Sequence, residues 1–471
     1  MTDSRTEATD VAPLATAGEE EGYERGLNPR TIQMIAIGGA IGTGLFYGAG
    51  GAIEQAGPAL ILCYLAAGLA IFVIMRALGE LLTYRPVSGS FAEYANEFLG
   101  RFAGFATGWT YWAVWVATCM AEITVAGKYV KYWFAVPEWL TALVVLGVLF
   151  AANLISVRLF GEGEFWFSAI KVTAIVAMIV IGIGVLTFGF GHTEHSTVTN
   201  LWADGGVFPH GFGQAMLALQ IVVFAYVGVE LVGVTAGEAA DPRRTLRKAI
   251  NTLPLRIGLF YIGALIIIMS VVSWKEFHSG RSPFVEVFSQ IGIPGAAGLI
   301  NFVLLTAALS SCNSGIYSTG RMLRSLSLRD EAPAALAGLN RRQVPYAGIV
   351  VSAAMMVIGV VVNVVSPDKA FNYITSVSTM GIIFVWGVIL VCHFAYRAKV
   401  RRGELPASDY RLPGAPVTSV LALALLGLVV VLLFFTDSGR TALIVGAVWA
   451  ALVCGGYVLQ NRLARRTAPA A

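Results

Sequence analysis

The chain has 471 residues, of which 57% are hydrophobic and only 13% charged, with a mean hydropathy of +0.73. A soluble globular chain is about 25% charged, so this one has too little polar surface to cover a particle in water, and a string of soluble domains is excluded. The formal net charge of +4 is small, and where the charges fall matters more than their sum.

Residues 1–30 carry no apolar run and read as a disordered cytoplasmic tail, not a signal peptide. From residue 31 to 460, apolar stretches of about 20 residues, the length that crosses a bilayer, recur twelve times. Their limits are near 33–53, 58–82, 98–127, 138–156, 164–189, 213–237, 251–273, 288–320, 345–365, 372–396, 415–435 and 441–460. An all-α membrane domain of twelve transmembrane helices over 31–460 is therefore expected, with 461–471 as a cytoplasmic carboxyl-terminal tail. Lys and Arg set its orientation. With both termini inside, the inner segments, counting Arg101 at the inner edge of the third span, hold 23 of them and the outer loops 6, while Arg76, Lys171 and Arg256 lie within spans. Misplacing one span would reverse every later loop and destroy this bias.

The first span is interrupted by Gly38-Gly39-Ala40-Ile41-Gly42-Thr43-Gly44. Each glycine costs a helix interior about 1 kcal/mol relative to alanine, and glycine leaves helical angles without steric cost. A break in mid-membrane is tolerated only where the freed backbone faces protein or a wet cavity. The amides of Thr43 and Gly44 would then start an outer half-helix whose positive end suits a carboxylate, with the Thr43 hydroxyl as a further donor. The alternative is close helix packing through small residues.

The fifth span carries Lys171, less than two turns from its inner end. It either snorkels to the surface or is buried and exchanges a proton. The third span carries Glu122 after Trp109, Trp112 and Trp115, expected either to line the cavity or relay a proton, or to pair with Lys128. In the sixth span Glu230 follows Phe224-Ala225-Tyr226-Val227-Gly228-Val229. An ionisable group there costs at least about 3 kcal/mol and is usually functional. Gly228 predicts an unwound turn, with the carbonyls of Ala225 and Val227 free for an ammonium group and Phe224 as a cover. Glu230 is read either as a proton group or as a structural partner for the broken backbone. In the eighth span, Ser310-Ser311-Cys312-Asn313-Ser314-Gly315 suits either a polar substrate side chain, with Asn313 foremost, or interhelical packing. Arg76 and Arg256 are assigned to ion pairs near the inner face.

Two interrupted helices five spans apart are what an inverted five-plus-five repeat with broken helices 1 and 6 would show. The five cysteines, Cys63, Cys119, Cys312, Cys392 and Cys454, lie in apolar stretches without ligand spacing. Of the five histidines, four lie in or beside outer loops and His393 near an inner end, so neither a metal site nor an enzyme is expected.

These motifs together resemble the bacterial amino acid permeases of the amino acid–polyamine–organocation superfamily. The pieces that carry the likeness are Met34 through Phe46, Arg76 through Glu80, Gly161 through Lys171, Phe224 through Glu238 and Leu309 through Leu323, and it extends over residues 22–460. It implies the five-plus-five fold with two extra helices and proton-driven uptake of an amino acid through the inner membrane, with no cofactor but the proton. It implies that Gly42, Thr43 and Gly44 hold the substrate carboxylate, that Ala40, Ala225 and Val227 offer carbonyls to the amine, that Phe224 caps the site and that Lys171 carries the proton. The partners implied are a small-molecule amino acid and the lipid bilayer, and no nucleic acid; the oligomeric state is open. Gly206 through Gly211, Val344 through Ile349 and Arg411 through Pro416 resemble asparagine permeases, which usually have Asp where Glu122 stands. Gly108 through Trp112 looks more like carriers of glycine, alanine and D-serine.

Overall fold

The computed structural model describes Met34 and residues 41–85, 90–155, 157–189, 196–235 and 242–467; the predicted tail 1–30 lies outside them. Among the described residues the regular structure is helical. Eight helical runs are long and apolar enough to cross a membrane: Gly44–Tyr84, Glu138–Ile155, Glu162–Phe188, Arg243–Val271, Ala296–Leu328, Tyr346–Val365, Ala370–Arg401 and Asp437–Arg462. The first contains two predicted spans, joined at Gly57, whose φ of 59° a side chain would resist. Gly211–Ala225 and Val417–Leu433 are apolar but shorter, and the third predicted span is the helix Arg101–Val130.

Several limits move for local reasons. The eighth span runs over Ala296–Leu328 rather than 288–320, because Gly292 and Gly295 both take positive φ and split off a separate helix, Pro283–Ile291. Its inner end continues through arginines that the apolar count rejected: Arg321 lies over the Tyr317 ring at 3.5 Å, and Arg324 donates to the Ala337 carbonyl. The basic stretch 238–250, read as a loop, holds the amphipathic helix Pro242–Asn251. The last helix, Asp437–Thr467, runs beyond the predicted boundary at 460.

The third span packs against the eighth and the tenth, Ala370–Arg401. The most apolar window of the eighth span is 78% buried and that of the last span only 11%, so the polar, small-residue helices form the interior and the evenly apolar ones face outward. Burial of the eighth span fits its composition, since Ser310, Ser311, Asn313 and Ser314 would be costly against lipid.

At the predicted inner end, Glu80 ties three parts of the chain together. Its buried carboxylate accepts from Arg397 Nε and Nη2 (both 2.8 Å) and from the Leu412 amide (2.7 Å), and His393 Nε2 lies 3.0 Å away. Arg76 departs from the expected ion pair. It donates to Asn251 Oδ1 and to the Arg411 carbonyl and lies over the Tyr410 ring at 3.7 Å.

Candidate functional site

The first segment enters its helix where the glycines predicted a break. Ile41 and Gly42 are not helical, and the chain winds from Thr43 into Gly44–Gly48, a π-helical turn, and then Ala49–Ala56. The first amides of such a helix have no partner inside it. Ala40 lies outside the described residues. The sixth segment is helical over Leu219–Ala225, turns through Tyr226–Glu230 with Gly228 at φ 104°, and resumes at Leu231–Thr235. The two interruptions meet. A Cβ on Gly44 would lie 2.5 Å from the Ala225 Cα, so only glycine permits this approach.

Glu122 comes from the third span to the same place. Its Oε1 accepts from the Thr43 amide at 3.4 Å, and a Cβ on Gly42 would stand 2.7 Å from it. Ser311 Oγ flanks Gly42 from the eighth span. The Thr43 hydroxyl and Glu122 Oε2 are buried with no protein hydrogen bond. Buried polar atoms are rarely left unmatched, and both of these belong to side chains at the Gly42–Thr43 break. Glu122 does not pair with Lys128, which instead lies 3.5 Å from Glu138 Oε2.

Across the break, the Ala225 carbonyl accepts from the Tyr261 hydroxyl at 3.3 Å; an oxygen has a second lone pair for an ammonium group. Val227 is buried in the turn beside it. Glu230, fully buried, folds back so that Oε2 accepts from the Gly228 amide (3.1 Å) and Oε1 from the Tyr111 hydroxyl (3.5 Å). These bonds fit the reading of Glu230 as a structural partner for the broken backbone.

Phe224 packs edge-on against Phe371 (centroids 6.2 Å), which packs edge-on against Tyr47 (4.9 Å). Tyr47 and Phe371 also line a cavity of about 420 Å³ with Gln55, Lys128, Gln220 and Asp368, on the predicted outer side. The aromatic cluster thus stands between that cavity and the Gly44–Ala225 crossing.

Lys171 does not snorkel; it is fully buried. Its Nζ donates to the Ile41 carbonyl (3.3 Å) and to Ser310 Oγ (3.0 Å), so one side-chain nitrogen joins the first, fifth and eighth spans next to the break. Asn313 is held one layer away, its Oδ1 accepting from Asn153 Nδ2 at 2.7 Å. Sequence reasoning missed Glu164, which is fully buried and accepts from Ser310 at 2.6 Å. Its spacing of seven from Lys171, two turns along one helix face, was the available signal.

The profile of the family described as "Amino acid permease" matches residues 31–469. The chain is 46% identical over 447 residues to the amino-acid permease AapA of Bacillus subtilis (94% of this chain, 96% of the relative). It is 45% identical over 436 residues to the probable threonine/serine transporter YbxG of the same organism (92% and 94%). To the L-asparagine permease of Streptomyces coelicolor it is 43% identical over 467 residues (98% and 95%). With a matching profile over nearly the whole chain and relatives aligned end to end, the chain belongs to the amino acid permease family, whose members are membrane transporters.

Proposed function

We propose that this permease carries a small neutral amino acid into the cell together with a proton, through the inner membrane and with both termini cytoplasmic. The observation that carries the reading is the crossing of two interrupted helices at Gly44 and Ala225, beside a fully buried lysine. The substrate carboxylate takes the amides and the hydroxyl at Thr43–Gly44, displacing Glu122 from the Thr43 amide. The ammonium group takes the carbonyls of Ala225 and Val227, and Phe224 closes over the pair. Lys171 holds the proton, with Glu230 and Glu122 as the other candidate groups.

L-asparagine is the first substrate to test, since relatives aligned over nearly the whole chain bear that name. One observation favours a second reading as a glycine, alanine and D-serine (or GABA) permease. Glu122 is a methylene longer than Asp and reaches the Thr43 amide, narrowing the space beside Gly42. The experiment is uptake of labelled L-asparagine into proteoliposomes, with an acid-outside gradient and a competition panel of unlabelled amino acids. Accumulation that follows the gradient supports symport. Uptake that needs amino acid on the far side and ignores the gradient would make the protein an exchanger.

A further inference from the structure

The structure places a second buried carboxylate in line with Lys171, on the side away from the substrate crossing. Glu164, Ser310 and Lys171 are all fully buried. Along the helix Val157–Phe188 the two charged residues are seven positions apart, a rise of about 10 Å, and a hydroxyl from a neighbouring helix bonds to both. The eighth span supplies that hydroxyl: Lys171 Nζ donates to Ser310 Oγ (3.0 Å) and Ser310 Oγ donates to Glu164 Oε1 (2.6 Å). On its other side Lys171 reaches the Ile41 carbonyl, next to Gly42 and Thr43. Glu164 lies toward the helix end that the lysine and arginine bias puts in the cytoplasm. Ser168, also buried, sits on the same face between the two, its hydroxyl without a protein partner.

We infer that Glu164 is the residue through which the coupling proton leaves Lys171 for the cytoplasm, with the Ser310 hydroxyl as the bridge. The inference rests on the proton-coupled reading given above. In the step, an N–H bond of the Lys171 ammonium breaks as an O–H bond to Ser310 forms, and the original O–H of Ser310 breaks as one to Glu164 Oε1 forms. An ammonium and a carboxylate become an amine and a carboxylic acid, and nothing is oxidised. Glu164 then gives its proton to cytoplasmic water, and Lys171 takes the next from the outer side.

The groups facing this relay leave few competitors. Glu122 of the third span is the other carboxylate near Lys171, and it lies on the substrate side. Ser314 and Asn313 of the eighth span flank Glu164, Asn153 of the fourth stands behind Asn313, and none of the three ionises. Among the described residues the first span contributes the Ile41 carbonyl. The seventh span meets the helix at Gly182 through Ile267 and Val271, which are apolar. On the helix itself Glu162 is exposed, one step closer to water.

The test uses the full chain in proteoliposomes loaded with pyranine, which reports internal pH, and the labelled amino acid that the wild type takes up in the competition panel. Glu164→Gln keeps the shape and a hydrogen-bond acceptor for Ser310 but cannot carry a proton. It should exchange labelled for unlabelled amino acid at the wild-type rate, which needs no net proton movement. Its gradient-driven accumulation and the accompanying internal acidification should fall at least about fivefold, the lower range of a coupling between two sites. Ser310→Ala should do the same, and Glu164→Asp should restore part of the coupling. Glu164→Gln accumulating as well as wild type, or losing exchange along with accumulation, overturns the relay. A wild type that ignores the gradient overturns the proton-coupled reading and the relay with it, whereas an intact wild type beside an intact Glu164→Gln overturns the relay alone.

Discussion

Gly44 and Ala225 approach so closely that a methyl group on the first would stand 2.5 Å from the Cα of the second and 2.9 Å from its amide nitrogen. Both neighbours are backbone, so neither can rotate away. The contact brings the start of one helix against the end of another, and so brings the amides of the first and the carbonyls of the second into one small space.

Gly44→Ala should therefore part the two segments. Overpacking of a tight site costs about 1–3 kcal/mol, and the loss should appear as a lower melting temperature in detergent and as lost uptake. Gly427→Ala, at a position with nothing within 4 Å of the added Cβ, is the control and should match the wild type. A Gly44→Ala protein with wild-type stability and uptake would show that the crossing does not constrain the site.

Lys171→Ala should abolish the response of accumulation to a pH gradient while substrate exchange persists. The change leaves Glu164 and Glu122 buried without their cation, a loss of the kind that costs about 3–5 kcal/mol, so Lys171→Gln should be measured beside it. Exchange counterflow reports binding, and accumulation under an acid-outside gradient reports coupling. The ratio of the two should drop at least about fivefold. Accumulation that still follows the gradient would move the proton to Glu230 or Glu122.

Phe224→Ala should weaken substrate binding or closure, because it opens the aromatic cluster with Phe371 and Tyr47. Removing a buried phenyl contact forfeits about 1.5–3 kcal/mol, which is tenfold or more in affinity. Inhibition constants for the unlabelled substrate measure it directly. Wild-type affinity and rate in the variant would place the lid elsewhere.

Much of this arrangement is legible in the sequence, because its causes are local. Four glycines within seven residues announce the first break, and Gly228 beside an intramembrane carboxylate announces the second. The rest depends on what a residue meets across the bundle. Nothing in the eighth span says that Ser310, rather than Ser311 or Ser314, faces Lys171. Glu164 lies within the stretch that carries the family resemblance, and only the fold sets Ser310 between it and Lys171. The same holds for Arg76, where charge suggested an ion pair and the fold supplies an aromatic ring and two carbonyl oxygens. The helix Pro283–Ile291 was hidden by hydropathy, although Gly292 and Gly295 carried the signal for its end.

The Glu80 knot bears on how such a molecule can move. One carboxylate fastens the second span to the tenth and to the segment that leads into the eleventh, through bonds from Arg397, His393 and Leu412. These three pieces are expected to shift as a single block at that end, since sliding one past another would strip a buried carboxylate of its hydrogen bonds. Movement at that end is then left to elements outside this knot, the break at Ile41–Gly42 and the turn Tyr226–Glu230 among them.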